Sequence, residues 1–289
     1  MKLSRGEKIY VFIMNVVMVI FALICLLPVL NVFARSLSSV TAVAGGKVWF
    51  WPVQFSTAGW NYVIKYTSFL KAMGNSVINT LIGTGFALVI TILTAYSLSR
   101  PYLKGRKAII YLYVFMMVFS AGTLPTYFQI KEYGLLNTRW SLILPMLISP
   151  YNTFVLKSGF ENIPDSLEEA ARIDGASFTR ILCSIVIPVS KAAIATIIIF
   201  TAVGYWNRYF DALLYITKQK LKPAALLLYE IIKLSEVEAG QGDVELAVAV
   251  SPEIKNASVV VLTVLPILAV YPFMQRYFVK GVMVGSVKG

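Results

Sequence analysis

The chain of 289 residues is 58% hydrophobic and only 14% charged, with a mean hydropathy of +0.74; soluble domains carry about a quarter charged residues, so a soluble globular protein is excluded. The formal net charge is +12, yet the cations flank apolar runs instead of forming a basic module with interleaved aromatics, which argues for anionic lipid and against nucleic acid as their partner. Histidine is absent, removing His-based triads and the commonest zinc constellations.

A helix that crosses about 30 Å of hydrocarbon needs about 20 apolar residues. Six stretches are read as spans: 9–34, 75–98, 107–129, 140–156, 184–206 and 257–278. Their apolar runs are continuous, whereas barrel strands alternate, so an all-α bundle forming one transmembrane domain over 1–289 is expected. The first run is too long for a cleaved leader and lacks a small-x-small cleavage site, so it is kept as a helix.

In chain order, the first run leads into a loop over 35–74 whose Trp49, Trp51, Trp60 and Tyr62 read as an interfacial aromatic belt or as ligand contacts. The link between the second and third runs carries Arg100, Lys104, Arg106 and Lys107, against Lys131 and Arg139 between the third and fourth. By the positive-inside rule the former link is cytoplasmic, both basic termini are too, and so is the link over 161–183. The second large loop, 207–256, begins with the basic KQKLKP stretch, continues as an amphipathic helix over 224–234 and then as a solvated EVEAGQGDVE segment. Its length suits partner docking. Prolines at 28, 125, 145, 150, 188, 266 and 272 remove backbone donors and can kink the spans, for packing or for a path. Lys191 snorkels to the inner face or charges a pathway. Cys25 and Cys183 are expected to be packed free thiols, not a disulfide or metal site.

The cytoplasmic link concentrates Glu161, Asp165, Glu168, Glu169 and Asp174 in a chain otherwise poor in acids. Asn162-Ile163-Pro164-Asp165-Ser166 reads as a helix start, with Ser166 and Glu169 spaced as a capping box. The helix is expected to run to about Ile173, with Leu167, Ala170 and Ala171 on one face and Glu168, Glu169 and Arg172 on the remainder. Gly175 suits the left-handed C-terminal position, and a second turn over 177–182 exposes Phe178. Such a small-residue face bordered by carboxylates fits a groove on another protein; alternatively it lies on its own bundle, with Arg172 neutralising the two glutamates.

The spacing Glu169-Ala170-Ala171, Gly175, Ile185 and Ile187-Pro188 resembles the EAA loop of membrane permease subunits of bacterial ATP-binding-cassette importers, with isoleucine at 187 where the family usually has leucine. Asp174-Gly175-Ala176, Trp206-Asn207 and the ending YPFMQRYFVKGVMVGSVKG are similar to the carbohydrate-uptake branch, LplC-like and MalG-like, so that the likeness extends over essentially the whole chain. It implies a MetI-like type I importer fold, in which Glu169, Ala170, Ala171, Asp174, Gly175, Ala176 and Phe178 couple to a separate ATPase and Pro188 passes the displacement into the bundle. It further implies a homologous second permease, two ATPase chains that use ATP and Mg, an extracytoplasmic solute-binding protein and an oligosaccharide cargo. The C-terminal tail over 281–289 would reach toward the ATPase.

No G-x-x-x-x-G-K-[ST] motif is present, so this chain is expected to bind no cofactor and to hydrolyse no ATP itself. Sugar recognition needs aromatic faces and amides, which Tyr151, Asn152, Tyr205, Trp206 and Asn207 supply; the same residues also suit belt positions and interhelical hydrogen bonds. Lys191, Arg208, Lys218, Lys220 and Lys222 suggest an acidic oligosaccharide. An importer for peptides or amino acids is the alternative cargo class. An intramembrane enzyme would need paired acids or a metal cluster inside the spans, and a stand-alone channel or secondary transporter would need intramembrane acids or a repeat; neither pattern is present.

Overall fold

The computed structural model describes residues 4–241 and 250–286. Its helices are α1 (Arg5–Ser36), α2 (Val40–Ala44), α3 (Ala58–Tyr66), α4 (Phe69–Ser99), α5 (Arg106–Val118), α6 (Thr123–Glu132), α7 (Trp140–Ile143), α8 (Pro150–Glu161), α9 (Asp165–Ile173), α10 (Phe178–Ile181), α11 (Ile187–Val189), α12 (Lys191–Trp206), α13 (Tyr209–Tyr215), α14 (Ala224–Gln241) and α15 (Pro252–Ser286). No strand occurs among the described residues. The all-α expectation holds.

Length and hydropathy of the helices account for part of the expected six spans. Among the described residues, three helices are long and apolar enough to cross a bilayer, over Gly6–Ser36, Phe69–Ser99 and Pro252–Pro272, or up to five if each of two bent pairs is one span. The pair α5 and α6 bends by 114° across Phe119–Gly122, where Gly122 takes φ +83. The pair Phe178–Val189 and α12 bends by 85°. Here Pro188 can give no hydrogen bond to residue 184, and the preceding turn, Leu182–Val186, widens to π geometry. The stretch 140–156 is not one continuous helix. Pro145 and Pro150 divide it into α7, a 3-10 turn over Leu144–Met146 and α8, because each proline lacks the donor that would continue the preceding turn.

Two compact units divide the chain, Met1–Leu70 with Leu227–Leu265 and Lys71–Leu226 with Pro266–Gly289. In the first, Ser4 and Glu7 form a reciprocal capping box that starts α1, and the apolar side chains from Ile9 to Val29 are exposed, as expected of a helix facing lipid or another chain. Its small core gathers Ala34, Ala42, Val43, Val48, Val250 and Ile254. There α3 approaches α15 so closely that a methyl on Gly59 would stand 2.2 Å from Ser258 Oγ.

The second unit buries Ala95, Tyr96, Leu156, Phe160, Ile163, Ile181, Leu182, Val186, Ile194 and Ile197 in one cluster. It joins the end of α4 to α8, α12 and the segment between them. At the other end of α4, Asn75 Nδ2 donates to the backbone oxygens of Lys220 and Lys222, at 2.9 and 3.0 Å. Asn137, tolerated at φ +60 because its short amide bonds locally, accepts through Oδ1 from Thr217 N at 2.7 Å and Lys218 N at 3.0 Å.

Several local expectations need revision. Helix α14 runs to Gln241, beyond the expected 224–234, so that part of the EVEAGQGDVE segment is helical; the rest, 242–249, lies outside the described residues. Trp60 is tied by Nε1 to Ser36 Oγ at 3.3 Å, while Trp49 and Trp51 are exposed as a belt requires. Both cysteines are free, but exposed instead of packed.

Candidate functional site

The acidic segment folds as a helix-turn-helix on the second unit. Pro164 adopts φ -58 and ψ 130 and begins α9 with no side-chain cap, so the expected Ser166–Glu169 capping box does not form. The reason is register: with Pro164 as the boundary residue, Ser166 already lies inside the first turn. Asp165 and Glu168 occupy that turn and Arg172 the last, the arrangement the helix dipole favours. Gly175 at φ +78 ends the helix. Its N–H donates to Arg172 O and that of Ala176 to Ala171 O, at 3.0 and 2.9 Å, a Schellman closure that needs the left-handed residue. Ser177 then caps α10, its hydroxyl accepting from Arg180 N at 3.3 Å.

The faces of α9 are distributed otherwise than its sequence suggests. Glu168, expected on the outer remainder, is 5% exposed and pairs with Arg100, whose side chain is as buried as its own. It is therefore not neutralised by Arg172. Ala171 and Ala176 pack against the buried cluster. Exposed are Glu169, Ala170, Asp174 and Gly175, together with Leu167, Ile173 (86% exposed) and Phe178. Ala171 thus separates from Leu167 and Ala170, and Ile173 joins them.

The short link between α4 and α5, together with the first residue of α5, grips this segment at three points. The Arg100 guanidinium meets Glu168 and lies 5.0 Å from the centre of the Tyr96 ring, which itself stands edge-on to Phe160. Arg172 Nη2 donates to Tyr102 Oη at 2.6 Å, and its guanidinium carbon lies 4.8 Å from the Tyr102 ring and 5.1 Å from that of Phe178. Arg106 donates to Glu161 Oε1 at 2.8 Å and to Leu98 O at 2.7 Å. Glu161 also receives Lys157 at 2.7 Å. In the sequence these arginines register only as charge density. The clue available there is that Glu168, Ala171 and Arg172 share a helical face while complementary charge stands in the preceding link.

The five residues considered for a sugar path are not gathered into one site. Asn152 is buried and donates to Thr201 Oγ1 at 3.3 Å. Tyr205 is buried, its hydroxyl donates to Ile143 O at 2.9 Å, and its ring lies where a methyl on Gly83 would come within 2.5 Å. Trp206 is likewise buried, whereas Tyr151 and Asn207 are exposed. Among the cations considered, Arg208 pairs with Asp211, and burial pulls its pKa below the ordinary guanidinium value. Lys191 is exposed at the start of α12.

A cation not considered is better placed for an anionic ligand. Arg139 is half-buried, held by the amide oxygens of Asn75 at 2.6 Å and Asn79 at 3.1 Å. No carboxylate lies within ion-pairing distance of it among the described residues, and its neighbour Trp140 exposes 45% of its surface. Nor do the described residues hold a group of three His, Cys, Asp or Glu able to bind a metal.

Comparison with known proteins covers nearly the full length. The chain is 42% identical to Protein LplC of Bacillus subtilis (strain 168) over 268 residues, 92% of this chain and 90% of the relative. To the polygalacturonan/rhamnogalacturonan transport system permease protein YtcP of the same organism it is 43% identical over 276 residues, 94% and 96% of the two chains. A solved structure of a bacterial ABC transporter involved in the import of the acidic polysaccharide alginate contains a chain that matches with a TM-score of 0.85 at 29% identity, covering 96% of this chain and 99% of that one. Residues 108–284 match the family model described as binding-protein-dependent transport system inner membrane component, and the braced helix-turn-helix lies within that span; the chain belongs to this family of membrane permeases.

Proposed function

We propose that this chain is the permease subunit of an ATP-driven oligosaccharide importer, forming half of the path for cargo delivered by an extracytoplasmic binding protein. The observation that carries the reading is the outer face of α9 and α10. Leu167, Ile173 and Phe178 stand exposed beside Glu169 and Gly175 on a helix whose opposite face is fixed to the bundle. Exposed apolar side chains rimmed by carboxylates on a short, held helix suit a groove in a second protein. That protein would be the ATPase, since this chain has no phosphate-binding loop.

In this reading two ATPase chains use ATP and Mg, closure of their dimer displaces α9 and α10, and Pro188 passes the motion into α12. A homologous second permease completes the path. The topology is six crossings, with the divided stretch 140–161 as one of them, both termini cytoplasmic and the loops over 35–74 and 207–256 facing the binding protein. Of the sugar-path residues, Tyr151 and Asn207 are the ones with free surface.

The cargo we favour is an acidic oligosaccharide. Two of the relatives are named for acidic polymers, and Arg139 offers a guanidinium held by neutral oxygens, with the exposed Trp140 next to it in sequence, groups that a uronate carboxylate and its ring would use. The test is uptake by the reconstituted importer. Glu169→Lys and Gly175→Val should abolish it while leaving membrane insertion intact; normal uptake by both would overturn the coupling role. Equal uptake of neutral and uronate-containing oligosaccharides would remove the acidic cargo and leave the importer.

A further inference from the structure

A helix that receives force from outside must be connected to the elements it moves. The backbone connects α9 to its neighbours in sequence, α8 and, through α10, α12. Helix α4 is remote in sequence, yet the residues that follow it, Arg100, Tyr102 and Arg106, each hold one charged residue of the segment 161–172. The contacts differ in kind. Glu168 with Arg100 is a buried ion pair, backed by the Tyr96 ring within α4 itself. Arg172 lies over the adjacent rings of Tyr102 and Phe178, whose centres are 6.0 Å apart. Arg106 ties Glu161 to the last turn of α4 through Leu98 O.

A buried ion pair is a poor choice if stability were its only purpose, because well-packed apolar residues of similar volume do as well or better. What it provides is direction. Glu168 is the carboxylate paired with Arg100 among the described residues, and a shift of α9 that broke the pair would strand two charges away from water. Sliding of α9 over α4 therefore carries a cost that moving the two together avoids.

We propose that Arg100 and Tyr102, with Arg106 holding the adjoining end of α8, form a brace that makes the inner end of α4 move as one body with α9, and that Glu168 is a positioning residue whose task is distinct from that of Glu169. Glu169 faces the second protein, whereas Glu168 faces the bundle. The proposal rests on the coupling role of α9 stated above. It adds a second route for the displacement, through α4, beside the route through Pro188 and α12.

The experiment uses the complete importer, purified with its ATPase, partner permease and binding protein and reconstituted in liposomes. The reading is cargo taken up per ATP hydrolysed, which a loss of assembled complex alone does not change. Glu168→Gln and Arg100→Gln should each lower that ratio by about tenfold or more, with the ATPase still bound. The exchanged pair, Glu168→Arg with Arg100→Glu, should recover it to within about threefold, since the two sites interact directly. Single variants within twofold of the parent overturn the brace, and so does an exchanged pair that assembles but recovers nothing. Should the buried variants fail to assemble, Tyr102→Ala decides. Tyr102 is half-exposed, so its loss spares the fold, and an unchanged ratio in that variant overturns the proposal. If the parent chain holds no ATPase at all, the coupling role of α9 itself falls, a result distinct from a coupled importer indifferent to Glu168.

Discussion

The two ends of α4 are both tied to segments far away in sequence, but by opposite chemistry. Near its start, Asn75 and Ser76 fix backbone: Asn75 donates to Lys220 O and Lys222 O, and Ser76 Oγ accepts from Ala224 N at 2.8 Å. Just past its end, Arg100, Tyr102 and Arg106 fix side chains through charge and aromatic faces. Roughly 36 Å of helix separates Asn75 from Ser99, at 1.5 Å per residue. Amide-to-backbone bonds hold a loop in one path whatever its side chains are. Charge pairs hold a particular helix in a particular register, and hold it only while both partners remain, which is what the coupling role proposed for α9 requires.

The sharpest way to break this contrast is to leave one buried charge alone. Arg100→Leu strands the buried Glu168 carboxylate without its counter-charge and should destabilise the protein by about 3–5 kcal/mol, read as a fall in thermal midpoint in detergent. Adding Glu168→Leu should restore most of that loss, because the apolar pair needs no desolvation of charge. A double variant as unstable as the single one would show that Arg100 acts by packing alone. Between the two ends, shape takes over. Gly83→Ala places a methyl 2.5 Å from the Tyr205 ring, which the hydroxyl bond to Ile143 O keeps from swinging away. The expected cost is about 1–3 kcal/mol, and Tyr205→Leu in the same chain should relieve it.

These contrasts also mark what could be read from the chain beforehand. The helix ending at Ile173, the left-handed Gly175 and the exposed Phe178 are written locally, in a proline before the helix, a glycine after it and a serine cap. The long apolar helices α1, α4 and α15 are equally legible from hydropathy. By contrast, the burial of Glu168 depends on a cation 68 positions earlier in the chain, and helical periodicity alone assigns a glutamate to the outside. Hydropathy likewise does not show the break within 140–156, because a window of apolar residues does not register that two prolines each remove a donor. Tyr205 and Trp206 look like belt residues because they end an apolar run; that Gly83 leaves room for a ring beside α4 is a tertiary fact.

At the start of α4, Asn75→Ala should cost about 1–3 kcal/mol, since Asn75 is 5% exposed and its loss leaves two carbonyls and one face of the Arg139 guanidinium without their partner. The loss should be local. Hydrogen exchange should accelerate over 217–224, and the ratio of uptake to ATP hydrolysed should stay as it is, whereas faster exchange in α9 would join the two ends that the contrast keeps apart.

The smallest effect tests whether charge itself, or its burial, matters beside α9. Lys157 and Glu161 form an ion pair one helical turn apart at 2.7 Å, with the carboxylate side chain 37% exposed, and Arg106 reaches the same oxygen. Such a pair is screened by water and salt, so Lys157→Met should cost only about 0.2–0.5 kcal/mol and fade further at high ionic strength. Glu161 keeps Arg106 in that variant, so the tie to Leu98 survives. If charge count governed the brace, Lys157→Met would approach Arg100→Leu in severity. If desolvation governs it, as the near-complete burial of Arg100 and Glu168 implies, the two thermal midpoints should differ severalfold in their displacement from the parent, and only the Lys157 variant should respond to added salt.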